Sequence, residues 1–374
     1  AAFLQNNCSL DKGDRVAIMM PNLLQYPVAL CAVLRAGLVA VNVNPMYTPR
    51  ELKHQLKDSG AKAIVILENF AHTLGKVIDD TNLETVVTTE IGDMLSVPKR
   101  QIVNFVVRNV KKMIPDWDIP NTVTLRHAIN DGKWQNLEDV ELNHADLAFL
   151  QYTGGTTGVP KVAQHKASGL LYNGWVGATI LMGPEDTVLC PLPMFHVFAA
   201  YPVMMAAVVA GTHVVFPTPQ GYRGEGVFDN FWKLVERWQA SFIITVPTAL
   251  SALMQRPVNA DISSLRNGFS GSAALPVEIY RRFEEATGVA IVEGYGLTEA
   301  TCLVSCNPVD GEKKIGSIGI CFPYTDVKIY KATPDGPVEA AVDEIGEICI
   351  SNPGVYPGNT YTEAAKNEDL YYNT

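Results

Sequence analysis

Residues 152–161 read YTGGTTGVPK. Gly154, Gly155 and Gly158 let backbone N–H groups come close to a ligand, Thr153, Thr156 and Thr157 offer hydroxyl donors, and Lys161 adds a cation. Such a loop suits a polyphosphate. It is not a Walker A loop, in which lysine follows the last glycine directly, because Val159 and Pro160 separate Gly158 from Lys161. Three weaker stretches accompany it. In residues 294–299, GYGLTE, Gly294 and Gly296 flank Tyr295, whose ring could lie against a purine. Thr298 could bond a phosphate oxygen, and Glu299 could hold Mg²⁺, a hard cation that takes few carboxylates and shares phosphate oxygens. In residues 271–276, GSAALP, the small Gly271, Ser272 and Ala273 leave room either for a flat ring or for tight packing of helix on strand. In residues 192–198, LPMFHVF, His196 stands between a proline-marked turn and an apolar run; it is either a satisfied core histidine or a cleft-wall group that positions a carboxylate.

The elements around these stretches alternate. Residues 15–20, 38–43 and 63–67 read as buried strands, and residues 26–35 and 49–59 as helices ended by Gly37 and Gly60. A second cycle has strands at 147–151, 187–190, 212–216, 242–246 and 290–293, with helices at 228–238 and 276–287. Strand and helix in turn, with short connections, indicate parallel sheets covered by helices. The phosphate-type loop then lies at a strand's carboxyl end, where open α/β sheets bind ligands. After about Gly316 the texture changes to short alternating segments, 326–330 and 347–351, which predict a small β-barrel or sheet.

Composition narrows the function. The chain has 374 residues, 47% hydrophobic and 18% charged, with a net charge of −10 and no long basic stripe. A nucleic-acid binder should look the other way, so no nucleic-acid partner is expected. Seven cysteines, an odd and scattered set, suit a reducing, cytoplasmic compartment, and Cys302 and Cys306 read as ordinary buried thiols. The apolar run 197–211 is too short for a membrane helix and holds Pro202, so it is expected to be a buried helix beside a cavity. In residues 92–121, Lys99, Arg100, Arg108, Lys111 and Lys112 interleave with Ile102, Val103, Phe105, Val106, Val107 and Val110. That pattern predicts a helix that either packs on its own domain or touches anionic lipid.

Taken in order, YTGGTTGVPK, LPMFHVF, GSAALP, GYGLTE and residues 346–350 (GEICI) resemble the adenylate-forming superfamily of acyl-CoA synthetases, luciferases and peptide-synthetase adenylation domains. The opening KGDRVAIMMPN and AVLRAGLVAVNVNPMYTPREL are similar to bacterial long-chain fatty acid:CoA ligases. The resemblance implies an α/β fold with two doubly wound, mostly parallel sheets and a small β-barrel subdomain. On that basis residues 1–316 form two interleaved α/β subdomains, and residues 317–374 belong to the barrel-like part. It implies ATP, Mg²⁺ and coenzyme A as cofactors and cosubstrate, a fatty acid as substrate, and room for a homodimer and for peripheral contact with the inner membrane. Residue by residue, Thr153, Gly154, Gly155, Thr156, Thr157, Gly158 and Lys161 would cradle the phosphates. Gly271, Ser272, Ala273, Glu293, Gly294 and Tyr295 would meet the adenine region, and Gly296 would belong to the same nucleotide-binding set. Thr298 would contact the α-phosphate and Glu299 the metal, with Thr153 as a second metal contact. His196 and Val197 would lie between nucleotide and acyl tail. The pattern departs from the family at Gly154, usually serine or threonine, and at Val162, usually glycine. The family's TGD aspartate and C-terminal lid are not in this sequence, which leads us to expect a partial chain. Two other functions stay open: transfer of the acyl group to a carrier protein or other acceptor, and non-catalytic nucleotide binding.

Overall fold

The computed structural model describes residues 1–153, 160–368, 370 and 371. It divides into two compact units, residues 1–152 with 193–195, and residues 153–192 with 196–374.

In the first unit, strands β1 (Arg15–Met19), β2 (Val39–Asn42), β3 (Ala63–Leu67), β4 (Thr85–Thr89), β5 (Val123–Thr124) and β6 (Leu147–Thr153) lie in the order β5-β4-β3-β1-β2-β6, all parallel. Val16 on β1 pairs with Ala40 on one side and Ala63 on the other. Val16, Ala17, Ile18 and Met19 have no exposed surface. A strand covered on both faces needs such a continuous apolar run. The helix Pro49–Ser59 has the predicted bounds, and its ends explain why. Glu51 N–H donates to Thr48 Oγ1 (3.4 Å), and Thr48 N–H donates to the Glu51 carboxylate (2.8 Å), a reciprocal cap. Pro49 pre-sets the first turn, and Gly60 closes the helix in the left-handed region at φ +62°. A buried polar chain crosses the unit: Tyr26 Oη to Asn42 Oδ1 (2.7 Å), Asn42 Nδ2 to Gln151 Oε1 (3.0 Å), and Gln151 Nε2 to the Phe195 carbonyl (3.1 Å).

The basic segment is helical over Lys99–Phe105, continued by a π-helical stretch, Val106–Val110. Polar groups fix it to its unit. Arg108 pairs with Glu68 and with Glu90 (3.0 Å), and the Asn104 amide donates to Glu90 (2.9 Å) and accepts from Gly92 N–H (2.7 Å). Val103, Val106 and Val107 are half-buried, while three apolar side chains stay outside: Ile102 is 58% exposed, Phe105 61% and Val110 64%.

The second unit holds β7 (Lys161–Lys166) and a seven-stranded sheet of β8 (Thr187–Leu189), β9 (His213–Val215), β10 (Phe242–Thr245), β11 (Asn267–Ser270), β12 (Ile291–Leu297), β13 (Cys302–Cys306) and β14 (Ile320–Cys321). Their order is β14-β13-β12-β11-β10-β8-β9, parallel from β9 to β12 and antiparallel beyond. Trp232, Phe231, Leu250 and Phe283 are buried together in one hydrophobic cluster of this unit. The predicted strand 290–293 does not stop at Glu293. It runs to Leu297 because β13 offers an antiparallel partner, with a register shift between Tyr295 and Gly296. Residues 298–301 are therefore a hairpin tip rather than an open loop. Gly296 lies so close to β13 that a Cβ there would meet the Cys302 carbonyl oxygen at 1.8 Å.

The segment after Gly316, expected as a barrel or sheet, contains an open three-stranded antiparallel sheet. Strand β15 (Asp326–Thr333) lies between β16 (Gly336–Glu339) and β17 (Glu347–Ser351). The apolar run is helical over Val197–Ala199, Ala200–Met205 and Ala206–Ala210, buried through Met204, and ends at Gly211 in the left-handed region. A π-helical turn accommodates Pro202. No helix among the described residues is long and apolar enough to cross a membrane. All seven cysteines are free, and Cys302 and Cys306 are buried in β13.

Candidate active site

The carboxyl ends of β11 and β12 bring two of the sequence stretches together. Ser270 pairs with Glu293 in parallel register, so the next residues, Gly271 and Gly294, lie side by side. The Phe198 ring packs over Gly271, where a Cβ would stand 2.9 Å from Cζ, and against Phe269 at 5.8 Å between centroids. A side chain at this position would push that ring aside. Through Phe198 the LPMFHVF stretch joins the same place. Ser272 and Ala273 are exposed beyond the strand end, with Ser272 in the left-handed region at φ +68°. Glu293 is buried, and its Oε1 accepts the Leu275 N–H at 2.8 Å. Its carboxylate thus closes the GSAALP turn onto β12.

His196 caps the apolar helix: its Nδ1 accepts the Phe198 N–H at 3.3 Å. It is not a core histidine, because its side chain keeps contact with solvent. The protein packed around the ring nevertheless withdraws water from it and holds its pKa below the ordinary value, so the imidazole is neutral at pH 7. Val197, next in the chain, is buried.

The tip of the β12–β13 hairpin carries Thr298 and Glu299 in a single 3₁₀ turn, Thr298–Ala300. Three groups pin it. Thr301, in the left-handed region at φ +64°, donates its hydroxyl to the Gly354 carbonyl at 2.5 Å. His165, on β7 and wholly buried, reaches the Thr298 carbonyl with Nε2 at 2.7 Å, while Nδ1 meets the Tyr201 hydroxyl at 2.7 Å. A carbonyl oxygen only accepts, so Nε2 carries the proton and Tyr201 donates to Nδ1. The third group is Tyr361, whose hydroxyl donates to Glu299 Oε1. The Tyr295 hydroxyl is held above the usual tyrosine value by burial and by the charge of Glu299, which puts the two side chains in one environment.

Lys161 opens β7, and its Nζ lies 5.0 Å from the centre of the same Tyr361 ring. Thr153 ends β6, and its hydroxyl donates to the Lys161 carbonyl at 3.4 Å. Thr153, Lys161, Tyr361 and Glu299 therefore form one connected group, with Thr298 adjacent. Gly154, Gly155, Thr156, Thr157 and Gly158 lie outside the described residues. His165 and Tyr361 were missed by sequence reasoning. The one signal for His165 is a polar residue inside the strand KVAQHK; nothing local marks Tyr361.

Burial pushes the His165 pKa down to about 4, against 6.5 for a free imidazole. The unfolded chain binds that proton at the higher pH, so acid favours unfolding. The stability this group contributes is full above pH 6.5 and is lost as pH falls toward 4. We expect a loss of roughly 3 kcal/mol over that window. Urea unfolding as a function of pH measures it, and His165→Gln should flatten that limb. An unaltered limb in the variant would assign the titration to another group.

A family model described as AMP-binding enzyme matches residues 1–359. The chain belongs to the AMP-binding enzyme family. The long-chain-fatty-acid–CoA ligase of Haemophilus influenzae is 41% identical over 379 residues, covering 99% of this chain and 66% of that protein. The enzyme of the same name from Escherichia coli O6:H1 is 42% identical over 365 residues, covering 96% of this chain and 64% of that one. The chain thus spans slightly under two thirds of the length of these curated relatives. Among solved structures, an anthranilate CoA ligase in complex with anthranoyl-AMP shares the fold with a TM-score of 0.80 at 20% identity, over 98% of this chain and 65% of that one. The family and the α/β architecture expected from the motifs are those found.

Proposed function

We propose that this chain carries the nucleotide and acyl sites of an acid:CoA ligase, which first joins a fatty-acid carboxylate to AMP and then passes the acyl group to coenzyme A. The observation that carries it is the connected group Lys161–Tyr361–Glu299. It holds a cation and a carboxylate together beside Thr298, at the end of strand β12, which runs beside Gly271, beyond which Ser272 and Ala273 are exposed. The names of the relatives supply the acid class: they are long-chain fatty-acid ligases.

Attack of a carboxylate on the α-phosphorus of ATP releases pyrophosphate. No general base is required, because a carboxylic acid with a pKa of about 4–5 is already ionised at neutral pH. The work left to the protein is positioning and neutralisation of charge. Lys161 would neutralise the departing phosphates. Thr298 would donate to the α-phosphate from a turn held by His165, and His196, neutral, would orient the acyl carboxylate without adding charge. The described residues contain no cluster of three or more metal-binding side chains. They do present one partly exposed carboxylate, Glu299, with the Thr153 hydroxyl on the same connected group. That set fits Mg²⁺, which takes one or two carboxylates plus substrate phosphates rather than a protein cage. When bound, Mg²⁺ offsets the charge on the phosphates.

The test is ATP–pyrophosphate exchange by the intact protein with acids of increasing length. Each methylene buried in an apolar tunnel is worth about 0.8 kcal/mol, or roughly fourfold in specificity per carbon until the tunnel is full. A flat response would remove the fatty-acid assignment. Product formation that does not depend on coenzyme A would favour a carrier-protein acceptor, and a protein that binds ATP without exchange would be a non-catalytic binder.

We also propose that the helix beginning at Lys99 meets an anionic lipid surface. Ile102, Phe105 and Val110 project from it, flanked by exposed Lys99, Lys111 and Lys112 and half-buried Arg100, with no acidic residue in positions 94–115. Arg108 is committed inward to Glu68 and Glu90. At about 1 kcal/mol per basic residue near the membrane, reversing Lys111 and Lys112 to glutamate should weaken binding to phosphatidylglycerol-rich vesicles about tenfold or more. Equal binding of the variant, or equal binding of the parent to neutral vesicles, would refute the contact.

A further inference from the structure

Tyr361 belongs to none of the stretches that suggested chemistry, yet its side chain joins the two charged groups on which the proposed reaction depends. Its hydroxyl donates to Glu299 Oε1, and its ring carries Lys161 Nζ at 5.0 Å from the centroid. Tyr361 is only 5% exposed. A carboxylate oxygen only accepts, so the phenol is the donor.

The backbone around Tyr361 is built to hold this pose. Residue 361 pairs with Ala163 as an antiparallel bridge, flanked by two hydrogen bonds: Gln164 N–H to the Thr360 carbonyl (2.8 Å) and Thr362 N–H to the Val162 carbonyl (3.1 Å). The outward-facing amide and carbonyl of Tyr361 itself are both taken by one side chain. Asn367 Oδ1 accepts the Tyr361 N–H (2.9 Å), and Asn367 Nδ2 donates to the Tyr361 carbonyl (2.9 Å). Asn367 is buried. A side chain anchored on both edges of its backbone loses little further freedom when it holds a partner, which is what pre-organisation means here.

We propose that Tyr361 is a positioning residue for the metal-binding and phosphate-binding groups. Its hydroxyl fixes the rotamer of Glu299 by occupying one carboxylate oxygen, and its ring fixes the long stem of Lys161. Among the described residues, Oε1 is the one Glu299 oxygen that takes a hydrogen bond, so Oε2 is left for a cation. Partners that orient a ligating carboxylate in this way typically change metal affinity by about 10- to 100-fold when removed. The ring's hold on Lys161 is a cation–π contact, which tyrosine and phenylalanine both supply.

This inference rests on the ligase reading, and the following measurements separate the two. Binding of Mn²⁺ to the intact protein in the presence of α,β-methylene-ATP is followed by electron paramagnetic resonance. Nucleotide affinity in EDTA is measured alongside it. Tyr361→Phe removes the hydroxyl and keeps the ring: Mn²⁺ should bind about tenfold or more weakly, with metal-free nucleotide affinity, acid KM and melting temperature unchanged. Tyr361→Leu removes both, and metal-free nucleotide affinity should fall as well. In a Glu299→Gln background, Tyr361→Phe should have no further effect on Mn²⁺, because the group it orients is gone. Wild-type Mn²⁺ affinity in Tyr361→Phe, or an equal loss with and without Glu299, would overturn the inference and leave the ligase reading standing. Absence of Mn²⁺–nucleotide binding in the parent protein would overturn both.

Discussion

Glu299→Ala should lower Mg²⁺-dependent acyl-AMP formation by about 10²–10³-fold, the range seen when one preorganised charge-stabilising group is lost. Glu299 stands on a hairpin tip, partly exposed, and its one hydrogen-bond donor among the described residues is Tyr361. Its removal opens no core cavity and breaks no strand pairing. Its loss does leave the buried Tyr361 hydroxyl without its acceptor, so stability should fall by about 1–3 kcal/mol with the fold kept. Pyrophosphate exchange and thermal unfolding on the same preparation separate the two effects. Glu299→Gln keeps the shape and loses the charge, so it should resemble the alanine variant if metal binding is the role, and the parent if only packing matters. Exchange kinetics equal to the parent's in both variants would remove Glu299 from the site.

Gly296→Ala should damage both fold and chemistry. The added methyl would meet the Cys302 carbonyl oxygen, a backbone atom that cannot rotate away. Strand β12 or β13 must shift, at a cost of about 1–3 kcal/mol or more, as when an already filled site is overpacked. The shift arises two residues before Thr298 and three before Glu299, on the strand that supports them. Displacing a catalytic group by about 1 Å can cost about 10²-fold in rate. The variant should melt lower and lose adenylation, while Gly288→Ala serves as the contrast: its Cβ meets nothing within 4 Å, though its φ of +69° carries its own smaller strain. Equal activity in Gly296→Ala and the parent would mean that the hairpin tip tolerates movement, and the precise placement of Thr298 and Glu299 would no longer matter.

The fold was legible wherever one local rule decided it. The helix Pro49–Ser59 carries its own start and stop in Thr48, Pro49, Glu51 and Gly60, and the strand Ala63–Leu67 is an unbroken apolar run. Legibility failed where a distant partner decided. The glycines of GYGL disfavour a strand, yet β13 supplies the hydrogen bonds that extend β12 to Leu297. The basic helix reads as amphipathic, but its anchors are Asn104 and Arg108 rather than its apolar face. At the site, Lys161, Thr298 and Glu299 stood out by residue type beside glycine-rich turns. Tyr361 has no such neighbourhood in sequence, because its meaning comes from a lysine and a glutamate brought to it from far along the chain.

The pairing of residues 360–362 with β7 has a consequence for synthesis. Gln164 and Val162 leave the ribosome early, but the backbone groups that satisfy them, at Thr360 and Thr362, follow nearly 200 residues later, as the 195-residue separation of the Gln164–Asn359 contact records. Contacts this remote form late, after their loop-closure entropy has been offset by the rest of the core. A nascent polypeptide can thus assemble most of its sheets while Lys161 and Glu299 are still unlinked, so competence to bind nucleotide should appear abruptly, near the end of elongation through this region.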